Sequence, residues 1–227
     1  EEEIHFRRFG EYRCKTLAEA KAACYDNPKI MKSYMQGLLV SQLFWSNHAK
    51  ILHYYRSDFL RDCPKGARFL EIGPGHGLFM CLAALDQRCS SLTGWDISET
   101  SLAETSRNLQ ILGLNKDVVL ELHDALAVET TGRQFEVIVI SEVLEHMEHP
   151  SSMLSALKRL LAPGGRIFVN VPVNSPAPDH IFLWRSPEEV AEFAVVANGR
   201  FQRDGLRMPK MVTASQYSIF MANSLIG

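Results

Sequence analysis

No stretch of this sequence approaches the roughly 18 consecutive apolar residues that a helix needs to cross a bilayer. No signal-peptide pattern is visible either, and the chain opens at Glu1 rather than at Met. The expected location is cytoplasmic, with no membrane partner. Blocks of one charge sign are also missing: 24 Lys and Arg stand against 26 Asp and Glu, a formal net charge of −2. Nothing therefore advertises a polyanion-binding surface, and a nucleic-acid partner is not expected. Small acidic or neutral substrates stay open. The five cysteines (Cys14, Cys24, Cys63, Cys81, Cys89) are odd in number, and none forms a C-x-x-C pair. Reduced thiols fit that pattern better than a disulfide framework or a zinc knuckle. Internal repeats and low-complexity tracts are absent. What is there is ordinary globular material: 227 residues, 46% of them hydrophobic, enough for one sizeable core.

The texture changes once along the chain. Residues 1–62 read as a helical N-terminal extension. In "TLAEAKAACY" Thr16 is positioned to cap a helix, and "DNP" at 26–28 interrupts it. From 29 to 60 apolar residues recur at helical spacing, and Gly37 and "SNH" at 46–48 suggest more than one helix. After "CPKG" short aliphatic runs alternate with helical segments: "RFLEIG", "SLTGWD", "VVLELHD", "FEVIVIS" and "GRIFVNVP". That alternation predicts a parallel sheet buried on both faces, with helices near 77–85, 98–112 and 150–161. The last of these is expected to stop at "APGG". Beyond Pro172 follow a Pro-rich loop, a helix near 187–197 and strands at 201–203 and 216–223. Residues 63–227 are thus expected to form the main α/β domain.

"RFLEIGPGHGLF" sets Gly73, Gly75 and Gly77 at the exit of the first strand, just before a helix. Glycines there let a ligand approach the backbone, and a helix N-terminus favours a carboxylate or phosphate. The G-x-G-x-G spacing differs from the dinucleotide pattern G-x-G-x-x-G. Asp96 ends the second strand about twenty residues on, where a carboxylate can accept hydrogen bonds from both hydroxyls of a ribose. Asp124 is expected to end the third strand. A structural glycine turn with scattered carboxylates, or a nicotinamide-binding domain, are the competing readings.

In these motifs, which run from Arg68 to about Val173, the chain resembles the class I S-adenosylmethionine-dependent methyltransferases. "EIGPGHG", "GWDIS", "HDAL" and "ISEVLEH" stand in family order. The resemblance implies a Rossmann-like fold with a seven-stranded, mostly parallel sheet and S-adenosyl-L-methionine as cofactor. It also implies a cofactor site of Glu71, Gly73, Gly75, Gly77, Asp96, Ile97, Asp124, Ala125 and Ser141. Of these, Glu71 and the glycines would surround the methionine part. Asp96 and Ile97 would hold ribose and adenine, and Asp124 with Ala125 would meet the adenine amine. Methyltransferases of exocyclic base amines carry N/D-P-P-Y/F after the fourth strand. Here that place reads Ser141-Glu142-Val143-Leu144, which sets that subclass aside.

Glu142, Glu145 and His146 stand at i, i+3 and i+4, and on a helical turn they would share one face. Three readings stay open for them: family architecture with His146 packed near the cofactor, His146 as a general base, or a metal site. The pattern E-x-x-E-H followed later by D-H is similar to that of two groups, the small-RNA 2′-O-methyltransferases and the ubiquinone-pathway O-methyltransferases. Carried over, this likeness implies Glu142, Glu145, His146 and His180 as ligands of a divalent ion (Mg, Mn, Fe or Zn), and Glu142, His146 and His180 as catalytic groups. A bound metal would lower the pKa of a substrate hydroxyl. The acceptor would then offer two neighbouring oxygens. His149 lies off the shared face and is expected at the surface.

The expected activity is methyl transfer to a small molecule, on oxygen or else on nitrogen. Aromatics gather in the N-terminal helices and in "IFLW" at 181–184, suiting a small, partly apolar substrate. RNA 2′-O-methylation, a non-catalytic cofactor-binding subunit and a fold relative with other chemistry are the alternatives.

Overall fold

Six strands carry the architecture of the computed structural model, which describes residues 1–25, 28–114, 118–127, 132–198 and 217–223. They are β1 (Ala67–Ile72), β2 (Cys89–Asp96), β3 (Val118–Leu122), β4 (Phe135–Ser141), β5 (Leu161–Pro172) and β6 (Tyr217–Asn223). The sheet order is β3-β2-β1-β4-β5-β6, with β1 to β5 parallel and β6 antiparallel to β5. Seven strands were expected. Six fall within the described residues, and the strand expected at 201–203 lies outside them. The helices are α1 (Glu2–Phe9), α2 (Leu17–Ala20), α3 (Pro28–Phe44), α4 (Ser46–Tyr54), α5 (Leu78–Leu85), α6 (Glu99–Ile111), α7 (Pro150–Leu160) and α8 (Pro187–Asn198).

Strand side chains alternate between two cores, as the period of two demands. Leu70, Ile72, Ile138, Ile140, Ile167 and Val169 face one cluster, which contains the α7 residues Met153, Leu154, Leu157 and Leu160. Phe69, Val137, Val139 and Phe168 face the other, with Tyr55, Phe59 and Phe79. Tyr55 meets the Phe79 ring at 4.7 Å and the Phe168 ring at 5.2 Å. These contacts fasten the segment leading into β1 to the sheet. In α7 the buried positions Met153, Leu154, Leu157 and Leu160 follow helical spacing. Each such leucine contributes about 1.5–3 kcal/mol through burial.

Local signals explain the N-terminal elements. The Thr16 hydroxyl accepts the Glu19 N–H (3.2 Å), and the Glu19 carboxylate accepts the Thr16 N–H (3.2 Å). This reciprocal cap starts α2, whose last turn widens into a π-helical turn over Lys21–Tyr25. Gly37, expected near a break, lies inside α3; the break falls at Trp45, whose extended backbone precedes α4. "APGG" does not simply stop α7. The helix ends at Leu160, and residues 162–165 lie within β5, where the pairing shifts between Phe135↔Leu161 and Val137↔Arg166. The extra residues form a bulge at the entry to the strand.

The strand order reverses at β1 and β4: from β1 the chain winds outward to β2 and β3, from β4 outward to β5. The crevice beyond the C-terminal ends of these two strands is where open α/β sheets bind ligands.

Candidate active site

One cavity of about 870 Å³ opens at that crevice, within the range of roughly 300–1,000 Å³ typical of small-molecule sites. Its floor is the turn after β1. Gly73, Gly75 and Gly77 all have left-handed backbones (φ 64°, 55° and 74°). A Cβ at Gly73 would meet Val143 at 2.6 Å, and one at Gly77 would meet Thr105 at 2.9 Å. The loop therefore packs tightly on its outer side while its inner side stays open to the cavity. Glu71 is buried at the base with one oxygen unpartnered. Burial, reinforced by the charge of Asp96, pushes its pKa well above the carboxylate range.

Asp96 is held by four donors. It accepts hydrogen bonds from the Ser98 N–H (2.9 Å), from the Ser101 hydroxyl, and from the Gly75 and Ile97 N–H groups. The residue lines the cavity. Ile97, Asp124, Ala125 and Ser141 line it too. Asp124 lies two residues past the end of β3, exposed, where its carboxylate caps its own turn by accepting the Leu126 N–H (2.8 Å).

In the lining of the same cavity, Glu145, His146 and His180 each offer one ligand atom, all within 4.8 Å of one another. Three local features bring them together. Glu142 adopts a left-handed conformation (φ 55°), unusual for a side chain of that size. Its N–H donates to the Asn170 carbonyl (3.0 Å). The chain then makes a single 3₁₀ turn over Leu144–His146. The expected shared helical face does not exist; a strained turn delivers the residues instead. The Ile181 and Phe182 N–H groups both donate to the Glu145 carbonyl (2.8 and 2.9 Å), anchoring the loop that carries His180.

Both carboxylate oxygens of Glu145 are buried without a hydrogen-bond partner. Burial and the neighbouring Glu142 raise its pKa well above the usual range. A buried carboxylate without donors is costly, and a cation would satisfy it. His146 Nδ1 donates to the Asp179 carbonyl (3.0 Å), and its Nε2 lies 3.7 Å from Glu145. His180 Nδ1 donates to the Ser175 carbonyl (2.6 Å), which leaves Nε2 as its ligand atom. Rings fixed through one nitrogen and presented through the other are the usual pattern of metal-binding histidines. Burial, and then the charge of His146, lowers the His180 pKa to about 4, which keeps this ring neutral, as a ligand must be. For His146 burial opposes the charged form, but Asp179 and Glu145 outweigh it and the pKa rises. The donor set fits a divalent first-row ion.

Glu142, expected as one of four ligands with His180 as the fourth, stands outside this group. Its carboxyl lies beside Glu145 and accepts the Asn170 side-chain N–H (2.8 Å), and burial lifts its pKa to about 8. His149 is exposed before α7, as its position suggested. Asn170, Asp179 and Tyr25 were not anticipated as site residues, whereas Tyr34, one of the N-terminal aromatics expected beside the substrate, lines the cavity. Asn170 is the one polar side chain in the apolar run 167–171, a signal open to notice. Tyr25 gave none.

A methyltransferase-domain family profile matches residues 44–207. The ubiquinone biosynthesis O-methyltransferase of Pseudomonas aeruginosa (strain LESB58) is 34% identical over 111 residues, 49% of this chain and 47% of that protein. Its counterpart in Pseudomonas fluorescens (strain Pf0-1) is 33% identical over the same length and shares. The match thus spans about half the length of these curated relatives. Among solved structures, a methyltransferase dependent on S-adenosylmethionine from Aquifex aeolicus superposes with a TM-score of 0.60 at 17% identity, covering 86% of this chain and 98% of that one. The [4+2]-cyclase SpnF gives the same TM-score at 18% identity, covering 81% and 83%. The crevice at the strand reversal, its glycine turn and the acid ending β2 define a class I S-adenosylmethionine-dependent methyltransferase fold. This chain belongs to the methyltransferase-domain family.

Proposed function

We propose that this protein transfers the methyl group of S-adenosylmethionine to an oxygen of a small acceptor bearing two neighbouring oxygens, with a divalent metal held by Glu145, His146 and His180. One observation carries the reading: a single cavity is lined both by the glycine turn with Asp96 and by the Glu145, His146 and His180 cluster. Acceptor and cofactor would share one enclosure. The likeness to ubiquinone biosynthesis O-methyltransferases supports oxygen as the acceptor atom.

In this reading Asp96 binds the ribose hydroxyls, and the glycine turn lets the methionine part lie against the backbone. Ile97, Asp124 and Ala125 surround the adenine, and Ser141 and Glu71 close the floor. The sulfonium of the cofactor supplies an already activated methyl group, so the protein's task is alignment and proton removal. A bound metal would lower the pKa of the acceptor hydroxyl and orient it. Glu142, outside the three ligands, is the group left to take its proton, since His146 already carries a proton on Nδ1 and holds the metal through Nε2. Met31, Tyr34, Met35 and Leu38 line the cavity wall, so that the N-terminal residues 1–62 act as a cover over the 63–227 domain.

Calorimetry with S-adenosylhomocysteine tests the cofactor half, with binding expected in the micromolar range; absence of heat from either cofactor form would overturn it. Elemental analysis and chelation test the metal half. Purified protein is expected to carry a divalent ion, or to lose methyl transfer to catechol on chelation and regain it with Mn²⁺. Full activity in chelator would remove the metal.

A further inference from the structure

Asp179 is fully buried in the wall of the same cavity, yet it is not one of the ligand cluster. Its two oxygens are nevertheless fully engaged. Oδ2 accepts the Tyr25 hydroxyl at 3.0 Å, and Oδ1 accepts the Tyr34 hydroxyl at 3.1 Å. These tyrosines come from two separate N-terminal elements, the π-helical turn after α2 and helix α3. The same carboxylate lies 3.4 Å from His146 Nδ1, and the Tyr25 oxygen is 3.0 Å from that nitrogen. Since the Asp179 carbonyl can only accept, Nδ1 carries the proton. Tyr25 then accepts from Nδ1 while donating to the carboxylate. Two further contacts hold the same loop to the N-terminal chain: the Tyr12 hydroxyl accepts the Ser175 N–H (3.0 Å), and Cys14 donates to the Pro178 carbonyl (3.1 Å).

We propose that Asp179 is a positioning residue that locks the His146 ring and the N-terminal elements together, through Tyr25 and Tyr34, so that seating those elements over the cavity and aiming His146 Nε2 into it are one event. The inference rests on the reading of this cavity as a methyl-transfer site. Asp179 lies outside the ligand cluster and acts through His146, which it contacts. A buried carboxylate that loses one of its donors keeps the desolvation penalty without the compensation. Each partner therefore depends on the others. The cover formed by the turn Lys21–Tyr25 and helix α3 becomes part of the active site, and an unseated cover leaves the imidazole held only by the Asp179 main-chain carbonyl.

The test uses the full chain with Asp179→Ala, Asp179→Asn, Tyr25→Phe and Tyr34→Phe. The first readout is the His146 Nδ1–H resonance in ¹⁵N-edited spectra, assigned with His146→Gln. In the parent protein it is expected downfield and protected from exchange. It should shift upfield and exchange faster in Asp179→Ala, where only the main-chain carbonyl of residue 179 still accepts the proton, do so less in Tyr25→Phe, and change least in Tyr34→Phe, whose hydroxyl does not touch the ring. The second readout is binding of Mn²⁺ alone together with turnover of catechol. Asp179→Ala should lower Mn²⁺ affinity and kcat by about 10- to 100-fold, the range for groups that orient metal-binding histidines. Affinity for S-adenosylhomocysteine should stay within about twofold, and Asp179→Asn, which keeps an acceptor, should recover part of the loss. If Asp179→Ala does not fold, Tyr25→Phe, lacking one hydroxyl, decides the matter through the ring signal. An unchanged His146 resonance in both Asp179→Ala and Tyr25→Phe would overturn the proposal and leave Asp179 a packing group. Failure of the parent protein to bind S-adenosylhomocysteine would instead overturn the methyltransferase reading, while the ring signal would still report on the coupling.

Discussion

Asp96 combines two duties: its carboxylate orders the turn into α6 through Ser98 and Ser101, and it tethers the glycine loop through Gly75. Asp96→Ala should therefore weaken S-adenosylmethionine and S-adenosylhomocysteine alike, by about 10- to 100-fold, the equivalent of one or two charge-assisted hydrogen bonds. Calorimetry reads this directly, and equal affinity in the variant would remove Asp96 from the site. Gly77→Ala meets both a left-handed backbone and Thr105, whereas Gly113→Ala meets the same backbone strain with open space around it. Urea unfolding should show a loss of about 1–3 kcal/mol for Gly113→Ala and a larger one for Gly77→Ala. The glycine loop and Asp96 could be read from the sequence because each answers to a local rule, backbone freedom at a strand exit or a carboxylate at a strand end. Glu142 could not. Its left-handed turn depends on its bond to Asn170, twenty-eight residues away in sequence, and no local pattern reports such a pairing.

The helix α7 shows how much of the architecture follows from periodicity alone. Its buried positions recur at helical spacing, it starts at Pro150, and it ends within a residue of the expected point. Leu157 is wholly buried against the sheet, so Leu157→Ala should destabilise the protein by about 2–5 kcal/mol in chemical denaturation. The entry to β5 and the run through Gly37 went against local propensity for tertiary reasons. Pairing with β4 draws "APGG" into a strand, and packing of α3 over the cavity carries the helix through its glycine. The junction of α3 and α4 holds a further test. His48 is buried there, its Nδ1 within 2.9 Å of the Ser41 hydroxyl and 3.0 Å of the Gln42 amide nitrogen. Burial lowers its pKa from 6.5 to about 4. The unfolded chain thus binds a proton more readily than the folded one, and stability falls as pH drops through this window. The stability difference between the parent and His48→Gln should be fully present above pH 6.5 and shrink toward about pH 4; a difference independent of pH would mean that folding leaves the His48 pKa unshifted.

The two halves of the candidate site lie far apart in the chain and meet because the strand order reverses between β1 and β4. Sheet, crevice and cofactor motifs were foreseeable, since they repeat one βα unit with clear punctuation. Convergence of His180 with Glu145 and His146 was foreseeable only as a likeness, because it depends on how the loop after β5 folds back onto the turn after β4. Fold alone does not fix the chemistry, as the shared architecture with a [4+2]-cyclase illustrates. In this chain the glycine turn with Asp96 and the Glu145, His146 and His180 cluster line one cavity. The most direct measurement is a crystal structure grown with S-adenosylhomocysteine and Mn²⁺, with anomalous diffraction recorded for the metal. The account predicts the ribose on Asp96 and an anomalous peak between Glu145, His146 and His180. A nucleoside lying elsewhere, or no peak at that cluster under saturating Mn²⁺, would contradict it.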